Sequence, residues 1–152
     1  MLIGGRYDRE QRLADKLGIS ESVLITGHVS DAERNRLMNE SIAFVYPSRY
    51  EGWGLGIGEA LIAGTPVIAG IGGAQAEVGG NAMLTIAPDS PADIARARSQ
   101  VLDPKTRARL LTGSKNEVPR LLDLGIAKRV MSHMTALDHH RSSEIRRNCV
   151  VI

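Results

Sequence analysis

Cysteine is all but absent from this chain: Cys149 is the single example in 152 residues. An internal disulfide is therefore excluded, and a reducing compartment fits. An excess of one charge is missing too. The formal net charge is +2, too small to recommend nucleic acid as a partner, and the basic residues are scattered, with a mild excess near the C-terminus. Long apolar runs are also lacking. Those present are broken by Glu59 or by glycine and are too short to span a bilayer. "MLIGG" at the N-terminus is too short for the hydrophobic region of a signal peptide. These absences predict a soluble, cytoplasmic chain without membrane association. What remains, 43% hydrophobic and 24% charged residues, is the composition of one globular domain with one sizeable core.

Several chemical signatures are missing as well. From Gly52, Gly54 or Gly56, no third glycine or alanine falls at the last position of G-x-G-x-x-G/A, so the dinucleotide fingerprint is absent. No G-x-x-x-x-G-K-S/T phosphate loop occurs. His28, His133, His139, His140 and Cys149 match no structural zinc spacing, and no metal site is expected. The ending "CVVI" has C-a-a-X form behind Arg146 and Arg147, but a terminal Ile is not a typical choice for a lipid anchor.

Strand and helix signals alternate through the first hundred residues. "MLIGG" (1–5) reads as a buried strand stopped at a glycine turn. Residues 8–17 carry Leu13, Ala14 and Leu17 on one helical face, ended by Gly18. "SVLITG" (22–27) predicts a short strand. Ser30 and Glu33 then have capping-box spacing at the head of a helix running to Glu40. "IAFVYP" (42–47) predicts a strand buried on both faces. A helix over Leu55–Ala63 stops at Gly64, and "TPVIAG" (65–70) and "AMLTI" (82–86) are further strands. Ser90 caps, and Pro91 begins, the helix of residues 90–102. Such alternation predicts an α/β fold with a parallel sheet and right-handed crossovers. Helical patterns continue over 104–137, and the charged tail 138–152 predicts poor order.

One stretch stands apart: "YEGWGLGIGEALIAGTP", residues 50–66. Two carboxylates, Glu51 and Glu59, bracket Gly52, Gly54, Gly56 and Gly58, which alternate with Trp53, Leu55 and Ile57. In an open parallel sheet, ligands bind beyond the C-terminal strand ends, where loops meet helix N-termini. Glycines let backbone N–H groups approach a ligand, and a helix N-terminus favours anions. A carboxylate one turn inside that helix can accept hydrogen bonds from a pair of sugar hydroxyls. Glycines for phosphate and carboxylates for hydroxyls point to a nucleotide-sugar site. The plainer alternative is a glycine-rich turn of the kind many α/β proteins contain, followed by a solvated helix glutamate.

Residues 41–69, "SIAFVYPSRYEGWGLGIGEALIAGTPVIA", resemble the C-terminal, donor-binding domain of retaining glycosyltransferases with the two-domain GT-B fold, family 4 in particular. The hallmark of that family is E-x7-E, matched by Glu51 and Glu59. The likeness extends upstream through "LGISESVLITGHVSDAE" and downstream through "GGAQAEVGGNAMLTIAPDSPADIARA", covering residues 2–103. It implies a Rossmann-like parallel sheet with flanking helices in 1–103, C-terminal helices in 104–137 and a polar tail in 138–152.

The resemblance also implies roles. Glu51, the candidate catalytic carboxylate, lies near the transferred hexose; the backbone of Gly52, Trp53, Gly54 and Leu55 lies near sugar and diphosphate. Glu59 holds the ribose hydroxyls, and Val29, in "GHVSD", borders the nucleobase. An aromatic at position 53 more often packs under the loop in this family than stacks on sugar. The implied substrate is a nucleotide-diphosphate sugar, with no metal or other cofactor and a front-face mechanism through an oxocarbenium-like state.

Two departures accompany the likeness. Gly56 stands where the family usually has proline. The family's first strand, its glycine turn and the Arg and Lys that grip the diphosphate should precede residue 1, as should the acceptor domain; Arg6 and Arg49 are the basic residues nearby. The expectation is a piece of an enzyme, transferring hexose only with an acceptor domain in the same full-length or a partner chain. Its alternatives are a stand-alone or degenerate nucleotide-sugar-binding module without catalysis, and a membrane-anchored interaction protein using Cys149.

Overall fold

The computed structural model describes residues 7–123. The chain divides into two compact units, Met1–Val118 and Pro119–Ile152, and only residues 119–123 of the second are described. The strand expected over 1–5, the helix over 125–137 and the tail lie outside the described residues.

Three parallel strands form the sheet: β1 (Phe44–Tyr46), β2 (Val67–Ala69) and β3 (Met83–Thr85), in the order β1-β2-β3. Phe44 pairs with Val67, and Val67 with Met83. The central strand is buried at all three residues, as an apolar run between two neighbours and two helical layers must be. α1 (Asp8–Lys16) and α2 (Asp31–Glu40) precede the sheet. α3 (Leu55–Ile62) joins β1 to β2, and α4 (Gln75–Gly79) lies between β2 and β3. α5 (Pro91–Leu102) and α6 (Pro104–Leu122) complete the described chain.

Alternation along the strands decides which helix covers which face. Phe44, in register with Val67, lies against α3 at Gly56. Ile68 turns the other way, into a cluster with Ile86, Ala97 and Val101, and with Leu110 from α6. The sheet is thus flanked by helices on both faces, with Ile57, Ala60 and Leu61 buried along α3. Each fully buried Leu or Ile of this size contributes about 1.5–3 kcal/mol relative to exposure. Two buried hydroxyls tie helices into this frame: Thr65 donates to the Met38 carbonyl at 2.6 Å and Ser114 to the Leu61 carbonyl at 2.7 Å.

The helix signals translate closely. Ser30 and Ser90 accept from the N–H groups of Glu33 and Asp93, both at 3.2 Å, and Pro91 opens α5. The reciprocal half of the capping box does not form. Glu33 instead takes two hydrogen bonds from Arg36, at 2.8 and 3.0 Å, because a guanidinium fork one turn away outcompetes a neutral amide for a carboxylate.

Two strand expectations are corrected. "SVLITG" does not form a strand: residues Ser20–Ser22 make a 3-10 turn and Ile25 alone is bridged. A strand persists only with a paired neighbour, and among the described residues the three-stranded ladder does not reach this segment. "IAFVYP" is a strand over three residues only, and it is not buried on both faces, since Val45 is 42% exposed. β1 ends the described sheet; α3 covers its Phe44 and Tyr46 side, and on the other side the helical cover that reaches Ala43 leaves Val45 partly open.

Candidate functional site

Parallel pairing puts the C-terminal ends of β1 and β2 side by side. Two loops leave there, residues 47–54 and 70–74, and they press backbone to backbone. Glu51 and Gly73 make a further parallel bridge beyond the strands. The Glu51 N–H donates to the Gly72 carbonyl at 3.3 Å, and the Ala74 N–H donates to the Glu51 carbonyl at 2.9 Å. A Cβ on Gly72 or Gly73 would overlap the carbonyl of Arg49 or Glu51, and Gly73 sits at φ +66. Glycine is thus needed twice over at 73, for contact and for the left-handed conformation. The wholly buried Gln75 fastens the loops from below, its amide donating to the Ser48 and Gly72 carbonyls at 3.0 Å each.

Glu51 is half-buried, and its carboxylate acts on the Tyr46 phenol. Burial, and then the neighbouring Glu51 anion, push the Tyr46 phenol above its ordinary value. The Tyr46 ring stacks on Phe44 with centroids 5.5 Å apart. Gly56 makes room for that pair, because a Cβ there would meet the Phe44 ring at 3.2 Å. The residue that departs from the family's proline thus lies under an aromatic stack leading to Glu51.

Between the two glutamates the chain turns into α3. Gly54 is buried at φ 74 and is the helix's first capping position. No side chain caps α3 and no acidic residue lies in its first turn, whereas serine caps α2 and α5. Backbone closes this turn, the Ile57 and Gly58 N–H groups donating to the Gly54 carbonyl at 3.0 and 3.2 Å, and no acidic side chain offsets the positive dipole end.

Glu59 lies one turn into α3 and accepts a hydrogen bond from Arg34 of α2 at 3.1 Å. Val29, half-buried, immediately precedes the Ser30 cap of α2, the helix that carries Arg34. Trp53 does not pack under the loop: it is 65% exposed, and Leu55 and Tyr50 are exposed with it. Ile57 and Val78 occupy the space beneath Gly54. Arg49 forks onto Asp89 through three hydrogen bonds of 2.6 to 3.0 Å, which holds the Asp89 carboxyl below the usual range. Arg6 lies outside the described residues. Among those described, no group of three His, Cys, Asp or Glu could hold a metal ion, and no helix is long and apolar enough to cross a membrane.

The structure thus brings Glu51, Gly52, Trp53, Gly54, Leu55 and Glu59 onto one strand-to-helix connection, with Val29 on the loop before the neighbouring helix. Sequence reasoning overlooked four supporting residues: Arg34, Tyr46, Gly73 and Gln75. The doublet Gly72–Gly73 was a usable signal of close backbone approach. Arg34, Tyr46 and Gln75 carried none, because their partners are set by packing.

Comparison with known proteins bears on this arrangement. Residues 1–116 match the family model described as Glycosyl transferases group 1. Over 108 residues the chain is 33% identical to a glycogen synthase of Mycobacterium tuberculosis, covering 68% of this chain and 26% of that protein. It is 35% identical over 100 residues to a 2-deoxystreptamine glucosyltransferase of Streptomyces kanamyceticus, covering 64% of this chain and 26% of that one. The chain therefore spans about a quarter of the length of these curated relatives. Among solved structures it is similar to sucrose-phosphate synthase from Thermosynechococcus elongatus, with a TM-score of 0.77 at 23% identity, over 90% of this chain and 37% of that one. It is also similar to Anabaena Alr3699/HepE, solved in complex with UDP, with a TM-score of 0.73 at 20% identity, over 89% of this chain and 40% of that one. At these identities the structural likeness is one of fold.

Proposed function

The chain belongs to the group 1 glycosyl transferases, and from that membership we propose that it binds the nucleotide-diphosphate sugar donor of a retaining hexosyl transfer. Its parallel sheet with flanking helices is that of GT-B C-terminal domains. One observation carries the reading furthest. Glu51 and Glu59 bracket a single glycine connection, Glu51 pinned through its backbone to the Gly72–Ala74 loop and Glu59 through its carboxylate to Arg34, with the uncapped start of α3 between them.

In this reading the diphosphate lies at the first amides of α3, where backbone N–H groups and the helix dipole oppose its charge. Glu59 accepts hydrogen bonds from the ribose hydroxyls, and Val29 borders the nucleobase. The backbone of Gly52, Trp53, Gly54 and Leu55 lines the sugar and diphosphate, and Glu51 faces the hexose. During transfer the bond from the anomeric carbon to the leaving phosphate oxygen breaks. A bond to the acceptor oxygen forms on the same face, and the acceptor proton passes to the departing phosphate. Glu51 acts by stabilising positive charge developing on the sugar ring and by positioning it, without becoming a covalent nucleophile. The acceptor site belongs to a second domain, in the same full-length chain or a partner, in keeping with the share of its relatives that this chain spans.

Calorimetric titration of the complete enzyme with UDP-, ADP- and GDP-sugars tests the reading, UDP-glucose first. Binding by at least one donor is expected. Glu59→Ala should weaken it by about 1.5–3 kcal/mol for each charge-assisted hydrogen bond lost. Unchanged affinity in that variant would remove Glu59 from the site.

A further inference from the structure

The ion pair between α2 and α3 extends the proposed site. Arg34 is fixed at both ends of its guanidinium: Nη1 donates to Asp31 Oδ1 at 2.8 Å and Nη2 to Glu59 Oε1 at 3.1 Å. Its Nε is buried, with no hydrogen-bond partner. The Arg34 side chain is 33% exposed and that of Glu59 41%, whereas Asp31 is almost fully in solvent. Only one oxygen of Glu59 is engaged, so Oε2 remains, with its own lone pairs, for other donors.

We propose that Arg34 is a positioning residue that locks the Glu59 carboxylate toward a vicinal diol, so that the site selects ribonucleotide over dideoxyribonucleotide donors. The inference rests on the donor-binding reading above and adds to it a residue that itself touches no hydroxyl. Two physical effects combine. A planar guanidinium held by Asp31 fixes the point from which Nη2 meets Oε1 of Glu59, which an ammonium on a flexible stem does less well. It also neutralises a carboxylate in a site meant for a diphosphate, where an unpaired glutamate would repel the ligand. As a mere surface staple between helices the pair would matter little. With Oε1 held by Arg34, the lone pairs of Oε2 are available to the hydroxyls of a diol.

The test uses the complete chain, titrated with UDP, ADP and GDP and with the 2′,3′-dideoxy form of whichever binds. The unsubstituted protein should prefer the ribonucleotide by about ten- to a hundredfold. Arg34→Leu should reduce that preference to within about threefold while the dideoxy form changes less. Arg34→Lys, which keeps the charge without the fork, should fall between the two. A preference left intact in Arg34→Leu and Arg34→Lys overturns the inference and leaves donor binding standing. Failure of all three nucleotides to bind the unsubstituted protein overturns the donor-binding reading itself, and the role of Arg34 with it. Should Arg34→Leu fail to fold, the lysine variant decides alone: an undiminished preference there is the overturning result.

Discussion

Glu51 and Gly73 face each other as a lone parallel bridge past the ends of β1 and β2, and the Glu51 carbonyl accepts the Ala74 N–H at 2.9 Å. The position of a candidate catalytic carboxylate is thus set by a glycine twenty-odd residues away, on a different loop. The contact is possible only because residue 73 has no Cβ.

Gly73→Ala should therefore act on both stability and activity. The added methyl meets backbone, which cannot rotate away, and the left-handed φ adds strain, for a combined loss of roughly 2 kcal/mol or more. Denaturant unfolding measures the first effect. In the complete enzyme, transfer should fall further than nucleoside diphosphate binding, because the displaced element is the Glu51 loop. Wild-type stability would mean that the two loops separate at little cost.

Glu51→Gln separates the two glutamates by function. Its proposed partner is the hexose, so transfer should drop steeply while affinity for the free nucleoside diphosphate stays near wild type. Steady-state kinetics and calorimetry on one preparation check this. Equal losses in both would place Glu51 with the nucleotide.

Tyr46 supplies a titration signature. Its pKa is raised above the ordinary value, first by burial and then by the neighbouring Glu51 anion. A group whose folded pKa is raised contributes stability that is complete below the unfolded value. That stability falls as pH climbs through the window from about 10 to the raised value. Ultraviolet titration should show a late-ionising phenol that Tyr46→Phe removes. If the late step survives the substitution, the assignment fails.

Leu110 tests the core. It is buried with Ile68, Val101 and Ile86, and it is α6's contribution to that cluster. Leu110→Ala should cost about 2–5 kcal/mol, measured as a lower denaturation midpoint at unchanged slope. A smaller loss would mean that α6 settles into the vacated space.

The 152-residue chain by itself should show negligible transferase activity and a tendency to self-associate. Leu24, Ile42 and Val45 are exposed, the last on the strand that ends the described sheet, and uncovered apolar surface beside a strand edge invites pairing. Light scattering and binding of a hydrophobic dye are the measurements. A purified monomer transferring sugar at an enzyme's ordinary rate would refute this.

The chain's sequence by itself determined what depends on neighbours along the backbone. Ser30 and Ser90 before acidic first turns, Pro91 at a helix start and Gly64 after one marked the helices, because a cap bonds to N–H groups three residues away. Alternating strands and helices were enough for a parallel α/β sheet, and the spacing of Glu51 and Glu59 was legible as a motif. Tertiary structure alone decided how those glutamates are held. Arg34 reaches Glu59 across 25 positions, Gln75 reaches Ser48 across 27, and Tyr46 meets Glu51 only after the loop folds back. It also decided that "SVLITG" is not a strand and that Val45 is exposed, since a strand's pairing and cover come from whatever lies beside it. Backbone preferences act over a few residues and are written in local order. Contacts between elements depend on which surfaces packing brings together, and local order does not encode that.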